Sequence, residues 1–286
     1  MIGFHIPQRK TFHETIQYYH ENSHGIKHFQ IFTKSPMRSY IGKINESDGR
    51  LTRDYIRENE ITLYTHASYM INMSNPEKWE KKLNLGKNEL DLAENIGAFG
   101  TVFHVGKHLK LSKEEGENLM YEYIKQMVEY IREKEYRVKY IIETSARCGT
   151  ELLWNMDDFG RFYMRFTEDE REHIKICIDT CHIFSAGYRI HTREGCEEYI
   201  VKVRETLGWE NVVLIHVNDS LSLKGCGCKL DRHANIMRGF IRDGMKRLLE
   251  HTIENHISHV LETPDSKDNL IETHLEEIQM IYSWFS

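Results

Sequence analysis

The sequence predicts an α/β protein folded as a single (β/α)8 TIM barrel, one domain over residues 1–286. Three observations predict it. The length suits one α/β barrel of roughly 250 residues. Eight short β-branched or aromatic runs alternate with longer amphipathic stretches. Several of the runs are continuously apolar, as expected for strands buried on both faces of a parallel sheet. An open doubly wound sheet is the competing architecture.

In order, the predicted strands are Ile2–His5, His28–Phe32, Ile61–His66, Gly100–His104, Val138–Glu143, Ile174–Asp179, Val212–His216 and Ser258–Glu262. Thr11–Asn22 reads as a helix with Thr11 as its N-cap. Asn75-Pro76 predicts a helix start, because proline at the first helical position lacks an N–H that would be unpaired anyway. Ser112-Lys113-Glu114-Glu115 has capping-box spacing and leads into Leu119, Tyr123, Met127 and Tyr130 at helical intervals. Asp157–Glu172, Thr192–Leu207, Ile236–His256 and Leu270–Ser283 complete the predicted helices.

Composition narrows the function classes. An apolar fraction of 40% with 12 Phe, 15 Tyr and 4 Trp supplies a core and excludes intrinsic disorder. No apolar run approaches the roughly 18 residues of a membrane span. The segment Met1-Ile2-Gly3-Phe4-His5 lacks the basic start and apolar stretch of a signal peptide, so a soluble intracellular protein is expected, cytoplasmic or nuclear. Six Cys without a C-x-x-C pair read as reduced thiols. Formal charge is 38 − 44 = −6, which argues against binding nucleic acid by bulk attraction. If DNA is the partner, something other than amino acids must help supply positive charge. The 17 His are a generous stock of the commonest metal ligand.

Position carries the strongest signal. Six of the eight runs end in a metal-capable side chain: His66, His104, Glu143, Asp179, His216 and Glu262, with His5 near the end of the first. In a parallel barrel those ends converge on the face where active sites form. Carboxylates buried together without a cation would repel and pay desolvation, and a divalent metal compensates. Asp179-Thr180-Cys181-His182 and Asp231-Arg232-His233 add His182, Asp231 and His233 from loops over the same face. Nine nitrogen and oxygen donors suit zinc or manganese, and serve about three ions if one carboxylate bridges. Three Zn2+ against four carboxylates leave about +2, enough to hold a phosphodiester. No sulfur is expected to ligate: Cys177 should face the barrel wall, and Cys226-Gly227-Cys228 lies in a flexible loop.

The segments Thr65-His66-Ala67-Ser68-Tyr69-Met70-Ile71-Asn72, Cys177-Ile178-Asp179-Thr180-Cys181-His182, His216-Val217-Asn218-Asp219-Ser220, Asp231-Arg232-His233-Ala234-Asn235-Ile236 and Leu261-Glu262-Thr263-Pro264 resemble endonuclease IV, the zinc-dependent apurinic/apyrimidinic endonuclease family. Ile2-Gly3-Phe4-His5 and Gln30-Ile31-Phe32-Thr33-Lys34 resemble its opening strands. The resemblance covers nearly the whole chain and implies a xylose-isomerase-like barrel with its active site at the C-terminal face. It implies three Zn2+, one or more replaceable by Mn2+. His66, His104 and Glu143 would hold one ion; Glu143, Asp179, His216 and Glu262 a second; His182, Asp231 and His233 a third. Glu262 and Glu143 would be the catalytic carboxylates. The implied reaction, on double-stranded DNA, cuts 5′ to an abasic site, leaving a 3′-hydroxyl and a 5′-deoxyribose phosphate. A monomer is expected.

Tyr69 matches the family's aromatic wedge, with Arg38 and His5 as further DNA-binding residues. Family members usually read Thr-Lys-x-x-Arg, whereas Met37 holds that spacing here and Arg38 follows. Ser68, where Pro is common, and Met237, where Gly is common, are further departures. A sugar isomerase or epimerase, with one or two ions on the same barrel, is the nearest alternative; a non-catalytic repair scaffold is another.

Overall fold

A computed structural model describes residues 1–222, 224–264 and 269–285. Eight strands close into a barrel: β1 (Ile2–Ile6), β2 (His28–Phe32), β3 (Thr62–His66), β4 (Gly100–Phe103), β5 (Lys139–Glu143), β6 (Ile174–Asp179), β7 (Val212–Val217) and β8 (Ser258–Leu261). Each pairs in parallel with its sequence neighbours, and β8 pairs with β1 to close the ring. The open-sheet alternative is excluded.

The helices are α1 (Phe12–Asn22), α2 (Glu46–Glu58), α3 (Trp79–Ile96), α4 (Lys113–Glu133), α5 (Met156–Tyr163), α6 (Glu168–Arg171), α7 (Thr180–Ala186), α8 (Arg193–Thr206), α9 (Lys246–Glu254) and α10 (Leu270–Ser283). Thr11 caps α1 and the Ser112/Glu115 box caps α4, as their sequences predict. Among the described residues no helix is long and apolar enough to cross a membrane.

Three predicted helices differ. The helix predicted from Asn75-Pro76 begins at Trp79, because the Asn75 side chain closes a turn on Glu77 N–H at 2.9 Å. The stretch predicted as one helix over Asp157–Glu172 is two, since Thr167 and Glu170 form a fresh capping box that restarts the chain. The Ile236–His256 stretch is helical only from Lys246, after a 3-10 turn at Arg242–Met245. There the Asp219 carboxylate takes the N–H groups of Gly239, Ile241 and Arg242, and Met237 and Arg242 have positive φ. Helix α2 has few apolar residues to announce it. It packs so close to α3 that a Cβ on Gly49 would come within 2.4 Å of the Asn95 amide.

Side chains alternate along each strand. One inward layer, Tyr64, Val102, Ile141, Cys177, Leu214 and Val260, forms an apolar plug inside the barrel. Cys177 thus points inward and not to the wall as expected: it lies two residues before Asp179, and period two puts both on one face. Two residues further along five of these strands come His66, His104, Glu143, Asp179 and His216, and Glu262 follows Val260 likewise. The plug is the floor on which the polar cluster stands.

Candidate metal centre

His66, Glu143 and Asp179 are the last residues of β3, β5 and β6. His104 and Glu262 directly follow β4 and β8, and His216 is the penultimate residue of β7. The other three donors come from overhanging segments. Asp179 caps α7 by accepting from His182 N–H at 2.9 Å, which sets His182 in the first helical turn. A two-residue antiparallel ladder, Asp219–Ser220 with His233–Ala234, folds the Asp231–His233 loop back over the mouth.

The nine predicted donors assemble into three groups, each with all its ligand atoms within 4.8 Å of one another: His66/His104/Glu143, Glu143/Asp179/His216/Glu262 and His182/Asp231/His233. Glu143 belongs to two of them.

Donor spacing fits metal ions. Ligand atoms about 2.0–2.2 Å from a tetrahedral ion lie roughly 3.3–3.6 Å apart. His66 Nε2 and His104 Nε2 stand 3.5 and 3.3 Å from Glu143 Oε2. His182 Nε2 and His233 Nε2 stand 3.3 and 3.1 Å from the two Asp231 oxygens. In the middle group His216 Nδ1 lies 2.8 Å from Glu143 Oε1, 3.1 Å from Glu262 Oε2 and 3.9 Å from Asp179 Oδ2. Glu143 Oε2, His182 Nε2 and His233 Nε2 are buried without a hydrogen-bond partner among the described residues. Buried polar atoms are seldom left so, and all three face these groups.

Tautomers agree. A carbonyl oxygen only accepts, so the ring nitrogen facing it carries a proton, and in the neutral ring the other keeps its lone pair. His66 Nδ1 faces Ala67 O at 2.9 Å, His182 Nδ1 faces Thr144 O at 2.7 Å, and His233 Nδ1 faces Glu262 O at 3.2 Å. His216 is turned the other way, with Nε2 on the Gln30 side-chain oxygen at 2.8 Å. In all four the free nitrogen points into a donor group, as metal-binding imidazoles are held.

Electrostatics tie the cluster together. Burial pushes the Glu143, Glu262 and Asp231 carboxyls up, but adjacent imidazoles outweigh it. His104, His182 and His216 hold Glu143 well below the usual range; His216 and His5 do so for Glu262, and His182 and His233 for Asp231. Burial opposes charge on the rings too, yet Asp179 and Asp231 raise His182 well above its ordinary value and carry His233 to about 10. Glu262 and Glu143 raise His216 against the same burial. His104 and His5 are lowered, by burial first. Without metal the cluster is therefore a proton-filled ion network.

The three predicted DNA-contacting residues are placed differently. Tyr69 is 50% exposed and meets the Phe32, His66 and His104 rings edge-on at 5.6, 5.6 and 5.2 Å. It stands between two cavities of about 310 and 320 Å³ that open on the donors. His5 lines the first, together with Glu262 and His233. Arg38 is exposed on the loop after β2 and lines neither cavity. That loop is joined to the Tyr69 loop: Ser68 Oγ donates toward Pro36 O at 2.8 Å, and Tyr69 N–H donates to Pro36 O at 3.0 Å. Serine at position 68 thus ties the two loops together.

Two residues escaped the sequence reading. Gln30, fully buried, donates from Nε2 to Glu262 Oε1 at 2.6 Å and lies 3.1 Å from His5 Nδ1, besides accepting from His216. Asn218 donates to Asp179 Oδ2 at 2.7 Å and accepts from Glu262 N–H at 3.1 Å. An amide inside the otherwise apolar Phe29–Phe32 run was the available signal for Gln30. The thiols of Cys177 and Cys181 lie within reach of donor groups, but burial drives both up, Cys181 to about 12, which favours protonated, weakly ligating sulfur.

Over residues 21–284 the sequence matches a family described as a xylose isomerase-like TIM barrel. It is 31% identical over 269 residues to a probable endonuclease 4 of Symbiobacterium thermophilum, covering 92% of each chain. It is 27% identical to a putative endonuclease 4 of Acanthamoeba polyphaga mimivirus, covering 99% of this chain and 93% of that one. The crystal structure of endonuclease IV from Thermus thermophilus superposes with a TM-score of 0.82 at 22% identity, covering 99% of this chain and 98% of that one.

Proposed function

Because this chain belongs to the endonuclease IV family of xylose isomerase-like TIM barrels, we propose that it is a DNA-repair endonuclease acting at abasic sites in duplex DNA. The reaction hydrolyses the phosphodiester 5′ to the abasic deoxyribose, with three zinc ions as cofactors. Water adds to phosphorus, the P–O3′ bond breaks, and the products are a 3′-hydroxyl and a 5′-deoxyribose phosphate. The supporting observation is the set of three donor groups at metal-ligand spacing, sharing Glu143.

His66, His104 and Glu143 would hold the first ion, Glu143, Asp179, His216 and Glu262 the second, and His182, Asp231 and His233 the third. Bound there, the ions supply Lewis acidity and positive charge that offset the acidic chain at the phosphate. Glu262 is the general base: Gln30 holds one of its oxygens, fixing the carboxylate that takes the proton of the attacking water. Tyr69 fills the space left by the missing base. An abasic sugar lacks stacking and pairing, so turning it out of the helix costs less than the few kcal/mol paid for an intact nucleotide.

Incubating the purified protein with an abasic-site duplex, with chelation and zinc add-back, tests this reading. Nicking 5′ to the lesion that chelator abolishes and zinc restores is the expected result. Metal analysis separates it from a sugar isomerase: close to three equivalents supports the proposal, and one equivalent with no nicking rejects it.

A further inference from the structure

Beside the metal centre, the segments after β4, β5 and β7 enclose a cavity of about 240 Å³ lined by His108, Lys113, Arg147, Glu151, Trp154 and Lys229 among others. Glu151 also lines the cavity shared by Tyr69, His104 and Asp231, so the two spaces adjoin. Their walls are joined: Cys148 Sγ lies 3.3 Å from Lys229 O, Leu152 N–H donates to Gly106 O and His108 N–H to Thr150 O.

Its charge is unbalanced. Lys113 is occupied by Asp158. The Glu151 carboxylate is neutralised by Lys107 at 3.2 Å and takes hydrogen bonds from Ser145 Oγ and Cys148 N–H. Arg147 and Lys229 have no carboxylate partner among the described residues. The Arg147 guanidinium lies 3.7 Å over the Trp154 ring, which fixes its plane and leaves its N–H edge for an acceptor. Both cations stand on backbone of positive φ, +63° at Arg147 and +56° at Lys229, a conformation glycine adopts without strain. Two long cations without carboxylate partners at one cavity, one of them held flat on an aromatic ring, point to a use for their head groups.

We propose that Arg147 and Lys229, steadied by Trp154, form a phosphate subsite for the DNA backbone flanking the cut bond. The inference rests on the endonuclease reading above. Arg147 follows Glu143 by four residues and Lys229 precedes Asp231 by two, which limits their Cα distances from those donors to about 14 and 7 Å. One strand of duplex carries a phosphate about every 3.4 Å of axis, so the subsite meets backbone within about four nucleotides of the centre. The planar guanidinium matches a phosphate with two parallel hydrogen bonds.

The test uses Arg147→Gly, Lys229→Gly and the double variant of the zinc-loaded protein; glycine suits both positions, so the fold is not penalised. Affinity for an undamaged duplex is measured by fluorescence anisotropy between 50 and 200 mM salt, beside kcat and KM on an abasic duplex. Each lost phosphate contact should flatten the slope of log affinity against log salt by about 0.9, roughly three-fold less loss across that range. KM should rise several-fold, with kcat, zinc content and melting temperature held or the last increased. A double variant with the parent slope and KM overturns the subsite, as does a raised KM accompanied by lost zinc. If the parent protein binds no duplex, the endonuclease reading falls and the subsite with it; if it binds and the variants match it, only the subsite falls.

Discussion

Gln30→Met is the most searching substitution for the metal centre. The replacement nearly conserves volume in a fully buried position, so what it removes is polarity. Two contacts to proposed ligands go: the 2.6 Å bond to Glu262 and the 2.8 Å bond from His216 Nε2. Without an acceptor on Nε2, the imidazole is free to protonate Nδ1, the nitrogen that faces Glu143 and Glu262. Hydrogen bonds to charged groups contribute about 1.5–3 kcal/mol each, and removing such outer partners typically lowers metal affinity 10–100-fold, about 1.4–2.8 kcal/mol. Only the middle group contacts Gln30. A chelator-competition titration should therefore show one zinc equivalent released 10–100-fold more readily while two keep their affinity, and added zinc should refill the weakened site. Three sites of unchanged affinity would refute the reasoning, because the Gln30 bonds would then have no part in holding His216 and Glu262.

Four further outcomes are expected. Glu262→Gln should lower the single-turnover nicking rate by about 10²–10⁴, the usual worth of a general base, while far-UV circular dichroism stays that of the parent; undiminished turnover removes Glu262 from proton transfer. Tyr69→Ala should reduce the preference for abasic over intact duplex with zinc content unchanged, and an unaltered preference would leave Tyr69 a packing residue. Zinc affinity should climb with pH: His182 is raised well above its ordinary value and His233 to about 10, so these rings hold protons at pH 7 that metal must expel, and His216 is shifted in the same direction. The carboxylates are held low and do not compete there, so affinity falls as pH drops and levels off only above about 10; a flat profile between pH 6 and 9 contradicts the ring assignments. Finally, chelation should lower the melting temperature, since a ligand bound only to the native state stabilises it; identical melting curves with and without chelator would show that the donors hold no metal.

Much of this protein could be read along the chain because barrel strands obey a local rule. Period two in β3, β5, β6 and β7 places polar residues such as His66, Glu143, Asp179 and His216 at the ends of apolar runs, and parallel strands bring such ends together. Correct application of the same period would also have turned Cys177 inward. Helix ends set by neighbouring residues, at Thr11 and Ser112, were equally legible. Where a distant carboxylate claims the backbone, as Asp219 does over residues 239–242, the local pattern misled.

Residue types and their order were thus determined by the sequence: nine nitrogen and oxygen donors, a barrel to gather them, and the family they belong to. Tertiary structure alone decided the distances within the three groups, which nitrogen of each imidazole is free, and that Gln30 joins His216 to Glu262. Those contacts span 186 and 232 residues. No periodicity reaches so far, because the closing of the ring, and not the run of neighbours along the chain, sets which side chains meet. Arg147, Trp154 and Lys229 illustrate the same limit: each is unremarked in its own segment, and only the packing of two loops makes them one cavity.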